Sequence, residues 1–307
     1  MGVDDLMEVN IYQVDVFTES TFQGNSAGVV PYAKGLDEKD MQRIANEMNL
    51  CETAFIIPID KNKFETRFFT PCCEIELCGH ATIGSFYTLG KMNYISPIEN
   101  GRKKVIQKTK VGELPVELFY TDGNIDKVFM EQKNPDSLGR IDNLTELLYA
   151  LNIKEEDIGI GEKFVYPEII STGVPDLILP LKEKKTLDNL MVDFRKVSKI
   201  SEKLKITGIH VFHLPNANSD RVYARNFAPF VGINEEAATG TSNGALMYFL
   251  KKNKLINSNE IKAIQGEVLG RPSVLYCEIG EKNNDFIVKV GGKARIVLEG
   301  VLCCKPT

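Results

Sequence analysis

Apolar and polar positions alternate along many short stretches of the chain, and two longer stretches break that rhythm by being apolar on every side. Residues 9–17 and 26–32 read as strands around a turn at Gly24 and Asn25. Asp37 caps a predicted helix whose Met41, Ile44, Ala45 and Met48 share one face. Residues 53–58 and 64–70 are strand-like, the second stopped by Pro71. A helix then opens at Cys78, Gly79 and His80 and runs to about Gly90, small or apolar all round, so it must be covered on all sides. Strands at 103–108, 114–119 and 126–131 and a helix at 143–151 follow. The order then recurs: strands at 164–171 and 176–181, a helix at 193–203, strands at 208–214 and 221–227, and an apolar helix from 240. Strands at 260–265, 273–279, 285–290 and 294–302 close the chain.

The recurrence is visible in the residues. Arg67 to Lys91 and Arg225 to Lys252 both read Arg-x-Phe-x-Pro, an acidic turn, a glycine-marked helix start and an apolar helix. Gly79 matches Gly240, Tyr87 matches Tyr248, Leu89 matches Leu250 and Lys91 matches Lys252, with a turn three residues longer in the second copy. Runs of neighbouring strands broken by single helices argue for α+β rather than a doubly wound parallel sheet. The expected fold is two homologous domains, each a curled mixed β-sheet, a barrel-like roll, around a central α-helix. The repeat places them at 1–117 and 118–292, with a tail of about 293–307 that can return to the first. The two glycine-marked loops are expected to face each other across a site.

Composition narrows the partners. The chain has 307 residues, with 37 Lys+Arg against 42 Asp+Glu and a net charge of −5. No basic stripe with interleaved aromatics suggests nucleic acid, and no apolar run approaches the roughly 20 residues that span a bilayer. The first ten residues lack the basic and apolar regions of an export signal, and Leu6 stands where a myristoylation signal wants Ser or Thr. Cys304-Lys-Pro-Thr307 lacks the aliphatic middle of a prenylation box. The expectation is a soluble, cytoplasmic protein. Its seven cysteines, at 51, 72, 73, 78, 277, 303 and 304, are then reduced thiols.

Several residues stand out as chemistry. Glu52 lies between a helix end and a strand, and either sits in solvent or serves a reaction. The matching junction before Ile209 and His210 has no carboxylate, and an acid present in only one of two copies points to function. His80 sits at a helix start, where unpartnered backbone N–H groups and the helix dipole favour an anion. It is either a satisfied core imidazole or a functional one. Gly79 and Gly240 let a ligand approach that backbone. On the second loop, Glu235 and Glu236 are either dipole-stabilising acids or part of the site, and Thr241 is either a helix cap or a substrate contact. Cys72, Cys73, Cys78 and His80 are zinc-ligand types at the wrong spacing, so no metal is expected. A symmetric two-thiol racemase is excluded unless its second thiol comes from elsewhere, because Thr239 stands at the place matching Cys78.

Taken together these stretches resemble the PhzF family, known from phenazine biosynthesis and related to diaminopimelate epimerase. The likeness rests on VDVFTESTFQGNSAGVV at 14–30, NLCETAF at 49–55, FFTPCCEIELCGHAT at 68–82, RNFAPFVGINEEAATGTSNGAL at 225–246, QGEVLGRPS at 265–273 and VGGKARIVLEG at 290–300. It implies a diaminopimelate-epimerase-like fold, an active site in the cleft between two domains, a homodimer, and an isomerase needing neither metal nor organic cofactor. Residue by residue, it implies an acid/base role for Glu52, with His80 and Glu236 as catalytic partners and Gly79, Gly240 and Thr241 as substrate-binding positions. Three positions depart from the family's EDPATGS: Glu236 replaces Asp, Ala237 replaces Pro and Thr241 replaces Ser. The implied mechanism is proton shuttling by Glu52 on a small carboxylate-bearing substrate. Partial desolvation is expected to raise the Glu52 pKa toward neutrality. The alternatives are an enzyme like proline racemase or hydroxyproline dehydratase that uses Cys78, and a non-catalytic protein that binds small carboxylates.

Overall fold

The computed structural model describes residues 7–282 and 285–304. Residues 1–6, read above for export and myristoylation signals, and 305–307 of the prenylation-like tail lie outside it. The chain forms two compact units. One holds the residues up to Met130 with those from Gly291 onward, and the other is Glu131–Val290.

The first unit runs β1 (Met7–Val16), β2 (Asn25–Val30), α1 (Glu38–Met48), β3 (Thr53–Asp60), β4 (Lys63–Phe69), the short β5 (Glu74–Ile75), α2 (Gly79–Lys91), β6 (Gly101–Thr109), β7 (Gly112–Thr121) and β8 (Asn124–Glu131). Helices sit where the pairing requires them. β2 pairs parallel with β3 and β4 parallel with β6, and a parallel pair needs a crossover that α1 and α2 supply. The pairs β1–β2, β3–β4 and β6–β7 are antiparallel. α1 starts where the Asp37 side chain accepts from the Asp40 N–H and stops at Asn49 in the left-handed region. Its Met41, Ile44 and Ala45 are buried with Val9, Ile11, Phe55 and Phe69.

α2 is the axis of this unit. Every residue from His80 to Gly90 is buried, and the helix packs on β1, β2, β3 and β7. Thr82, Ser85 and Thr88 donate their hydroxyls to the carbonyls of Cys78, Ala81 and Gly84, at 2.8, 2.6 and 2.8 Å. Those buried hydroxyls therefore need no partner from the sheet. A Cβ at Gly90 would stand 2.6 Å from Ile125 Cδ1, so only glycine lets that neighbour sit so close.

The second unit opens with β9 (Asp136–Arg140) and α3 (Thr145–Leu151), then β10 (Glu168–Ser171), β11 (Pro175–Pro180), α4 (Lys184–Asp188), α5 (Phe194–Leu204), β12 (Gly208–His213), β13 (Arg221–Ala228), β14 (Ile233–Glu236), α6 (Gly240–Lys252), β15 (Glu260–Gln265), β16 (Ser273–Lys282) and β17 (Asp285–Gly292). Its pairing repeats the first unit's. β10–β11, β12–β13 and β15–β16 are antiparallel, while β11–β12 and β13–β15 are parallel. α6 occupies the place of α2 and packs on β10, β11 and β16. The fold is thus α+β with a duplicated curled mixed sheet and a central helix in each copy.

The division read from the repeat, 117/118, falls inside β7; the compact units divide at 130/131, because β8 folds back antiparallel onto β7. The last strand, β18 (Ala294–Cys304), pairs along β1 from Val16 with Ala294 to Met7 with Cys304, so the tail belongs to the first unit. Cys51, Cys72, Cys73, Cys78, Cys277 and Cys303 are free thiols. Among the described residues no helix is long and apolar enough to cross a membrane.

Candidate active site

The first unit brings Glu52, Cys78 and His80 together. Glu52 sits in the junction between α1 and β3, where its own carbonyl accepts the Gly28 N–H at 2.9 Å. Cys78 is the N-cap of α2 in extended conformation, and its side chain does not cap the helix. His80, the second residue of α2, is buried at 6% exposure. Its Nε2 lies 3.1 Å from Glu52 Oε2, while its Nδ1 is 3.5 Å from both Cys78 Sγ and Asn25 Nδ2. The sulfur contact at 3.5 Å is an ordinary length for sulfur, so the imidazole is engaged at both ring nitrogens. The Glu52–His80 contact has the distance and charge of an ion pair. By hydrogen-bond geometry, however, neither Glu52 Oε2 nor His80 Nε2 has a well-directed partner, and both lie beneath the surface.

The electrostatics correct one expectation. Burial does push the Glu52 carboxyl up, and it is the largest influence. The close approach and charge of His80, with a smaller contribution from Cys78, outweigh it and hold the carboxyl below its ordinary value. Glu52 is thus held as a carboxylate rather than poised near neutrality. For His80, burial again acts first, opposing protonation, but Cys78 and Glu52 together raise it well above the ordinary histidine range. The Cys78 thiol is pushed up by burial and then by the Glu52 charge, against the opposing pull of His80. A neutral, buried thiol is a poor base.

In ligand type, Glu52, Cys78 and His80 also make a set that could hold a metal, with one donor atom of each within 4.8 Å of the others. Cys78 Sγ, however, approaches the imidazole at Nδ1 and Glu52 at Nε2. One ion bound to one ring nitrogen would have to break that arrangement.

In the second unit, Arg225 divides the two acids. Its Nε and Nη2 hold both oxygens of Glu235 at 2.8 Å, so Glu235 is a structural anchor. Arg67 holds Glu74 in the same forked way at 2.7 Å, which makes the fork part of the duplicated scaffold. Glu236 is left to the helix start, where its Oε2 accepts from the Thr239 hydroxyl at 2.7 Å. Thr239, not Thr241, is the N-cap of α6, and its hydroxyl goes to Glu236 instead of capping the helix. Thr241 lies in the first turn, its carbonyl accepting the Thr172 hydroxyl at 2.8 Å.

Gly79 and Gly240 both have ordinary backbone conformations. A Cβ at Gly240 would meet nothing within 4 Å, and one at Gly79 only Met130 Sδ at 3.8 Å. Neither glycine is demanded by packing or by a left-handed turn. What each preserves is open space over the first turn of a helix.

Sequence reasoning gave no role to Asn25 at the back of His80, nor to Gln265, His210 and Asn243 behind the second loop. Asn25 and Gln265 lie inside two of the motifs that carried the family resemblance, which was the available signal.

Comparison with known proteins completes the picture. The family model described as phenazine biosynthesis-like protein (PhzC-PhzF) matches residues 14–300. An uncharacterized isomerase of Clostridium acetobutylicum is 37% identical over 309 residues, covering 97% of this chain and 99% of that relative. The crystal structure of a Bacillus anthracis phenazine biosynthesis protein of the PhzF family superposes with a TM-score of 0.83 at 24% identity, covering 96% of this chain and 99% of the other. A hydroxyproline epimerase from Agrobacterium vitis superposes with a TM-score of 0.61 at 12% identity, covering 97% and 92%. At those identities the two structural likenesses speak for the fold alone.

Proposed function

This chain belongs to the phenazine biosynthesis-like (PhzC-PhzF) family of isomerases, and on that premise we propose that it moves a proton between carbons of a small carboxylate-bearing substrate, with Glu52 as acid/base and without a cofactor. The observation that carries the reading is the buried Glu52–His80 pair, 3.1 Å apart at the start of α2, neither atom holding a well-directed hydrogen bond.

The steps follow from the charges. Ionised Glu52 removes a proton from a carbon beside a carbonyl or carboxylate, and the electron pair left behind spreads into that group as an enolate-like anion. The Nε2–H of His80 and the exposed first-turn backbone at Gly79 are placed to stabilise that charge. The carboxyl of Glu52, whose proton exchanges with solvent while it is held there, then delivers a proton to a second carbon, so substrate and product have equal composition and heavy water leaves deuterium at that carbon. Gly240, Thr241 and Glu236 serve as binding groups for the rest of the substrate. Glu236 reaches one methylene further than the family's aspartate, which fits a substrate other than the phenazine precursor.

Incubation in heavy water with a panel of small cyclic and acyclic unsaturated carboxylates tests the proposal, read as deuterium at carbon. Glu52→Gln should lower the exchange rate on the order of a hundredfold or more. Full exchange by that variant would end the Glu52 assignment, and no exchange by the native protein would favour a binding protein. The second reading, a Cys78 base, draws on the 3.5 Å approach of its sulfur to His80. Cys78→Ser separates the two, since it abolishes exchange only if the thiol is the base.

A further inference from the structure

The QGEVLGRPS stretch has no part in the chemistry above, yet the Gln265 side chain is fully buried and uses its whole hydrogen-bonding capacity on the second loop and the helix it opens. Its Nε2 donates to the Glu236 carbonyl at 2.8 Å and to the Thr239 hydroxyl at 3.1 Å. Its Oε1 accepts from the Thr239 N–H at 3.3 Å and from Asn243 Nδ2 at 2.8 Å. The orientation of the amide is settled by its partners, because a backbone carbonyl can only accept and a backbone N–H can only donate. One consequence reaches the site. With Gln265 donating to the Thr239 oxygen, that hydroxyl directs its own proton to Glu236 Oε2.

The arrangement is backed in depth. Asn243 Nδ2 also donates to the Thr239 carbonyl at 2.9 Å, leaving Asn243 Oδ1 to accept from His210 Nε2 at 3.3 Å. His210 Nδ1 in turn faces Asn226 Nδ2 at 3.3 Å, which fixes the tautomer with its proton on Nε2. Burial holds the His210 pKa down to about 4, so the ring stays neutral and the polarity of the chain does not change near neutral pH. Gly266, with φ of +83°, brings its turn against the same loop, where a Cβ would stand 2.7 Å from the Ala237 carbonyl oxygen.

The first unit supplies a comparison. Gln107 is likewise buried, and it bonds the residue three after the helix-start glycine, Thr82, at 3.1 Å. Its Oε1 has no partner. The bond from Asn243, three after Gly240, has its counterpart there, so a buried glutamine against the helix belongs to the scaffold, and the threefold grip on the loop belongs to the second copy.

We propose that Gln265 is a positioning residue for the reaction: it clasps residues 236–239 so that Glu236 is held with its Oε2 toward the Thr239 hydroxyl and the start of α6 is held open to substrate. The proposal rests on the reading of that loop as part of the site, but its first test needs no substrate. Amide hydrogen exchange is compared in the native protein, Gln265→Leu and Gln107→Leu. Gln265→Leu should speed exchange at 236–241 by roughly tenfold or more, with 244–250 unchanged, and Gln107→Leu should leave 236–241 as it was. Unchanged exchange at 236–241, or an equal rise in Gln107→Leu, overturns the clasp.

Should Gln265→Leu fail to fold, Gln265→Glu has nearly the same shape but donates only when protonated. Protection at 236–241 should then be lost at pH 8 and regained on acidification, and a loop indifferent to pH overturns the proposal. With any compound that exchanges deuterium on the native protein, Gln265→Glu should also lower kcat roughly tenfold at pH 8 and recover in acid. A kcat unmoved at pH 8 refutes positioning. Failure of the native protein to exchange any compound sinks the isomerase reading and leaves the clasp to be judged by amide exchange.

Discussion

Replacing Glu52 with glutamine preserves the length of the side chain and removes its charge, which leaves His80 without its counter-charge. Removing one partner of a buried pair costs about 3–5 kcal/mol when the other charge is stranded. Here the imidazole can release its proton instead, since burial opposes protonation once the partner is gone. The loss is therefore smaller, about 1–3 kcal/mol, or a melting shift of roughly 3–10 °C for a unit of this size. The pH dependence has a definite sign. Glu52 has a depressed pKa in the folded protein, so its share of the stability is present above its ordinary 4.5 and is lost as pH falls through the folded value. His80 has a raised one, so its share is complete below 6.5 and is lost as pH rises through the folded value. Both conditions hold between 4.5 and 6.5, where native protein and Glu52→Gln should differ most. Melting curves from pH 4 to about 9 measure the gap. A gap that stays flat across that range, or peaks at its alkaline end, would refute the ion pair.

Gly79→Ala and Gly240→Ala should each leave stability unchanged or raise it by up to about 1 kcal/mol, because alanine is the better helix former and meets open space. Both should lower deuterium exchange at carbon at least roughly tenfold, and full activity would mean that nothing approaches those backbones. Asp176 is fully buried, and burial lifts its carboxyl from 3.8 to about 6 against the opposing bond from Ser242. Its ionisation therefore penalises the folded state as pH rises from 3.8 to 6, so Asp176→Asn should stabilise at pH 8 by up to roughly 3 kcal/mol and do nothing at pH 3, as urea unfolding at both pH values would register. Arg225→Met strands Glu235, itself 9% exposed in the fork, and should cost about 3–5 kcal/mol in the same experiment. Arg225→Lys should restore only part of that, since an ammonium cannot span both oxygens.

Legibility followed the range of the forces involved. The alternation, the Asp37 cap and the all-apolar helices are local patterns, and α1, α2 and α6 stand where those patterns put them. The repeat was legible because both copies keep the Arg–Glu fork and the glycine-marked helix start. The two-residue β5 and the four-residue β14 were not, because strands that short carry no period. The division of the chain depended on β8 choosing β7 as its neighbour, a tertiary event. Glu52 and His80 were both identifiable from the sequence, but the ionisation state of Glu52 was not. Burial and an adjacent imidazole push a carboxyl in opposite directions, and only the 3.1 Å separation shows which prevails. Gln265 was visible only as part of a motif, because its partners are 22 to 29 residues away.

The helix that carries His80 is wedged along its whole length, from a first turn bearing the imidazole to Gly90 pressed under Ile125. Ten residues of α-helix make a stiff rod of roughly 15 Å. A methyl group added at Gly90 would meet the side-chain ends of Ile125, Tyr120 and Leu118 at 2.6, 3.0 and 3.2 Å, which must shift to admit it or push on the rod. Whatever part of that strain the rod takes up bears on the Glu52–His80 pair from a position with no chemistry of its own, so a search for substitutions that alter the candidate site belongs as much at the tail of that rod as at its tip.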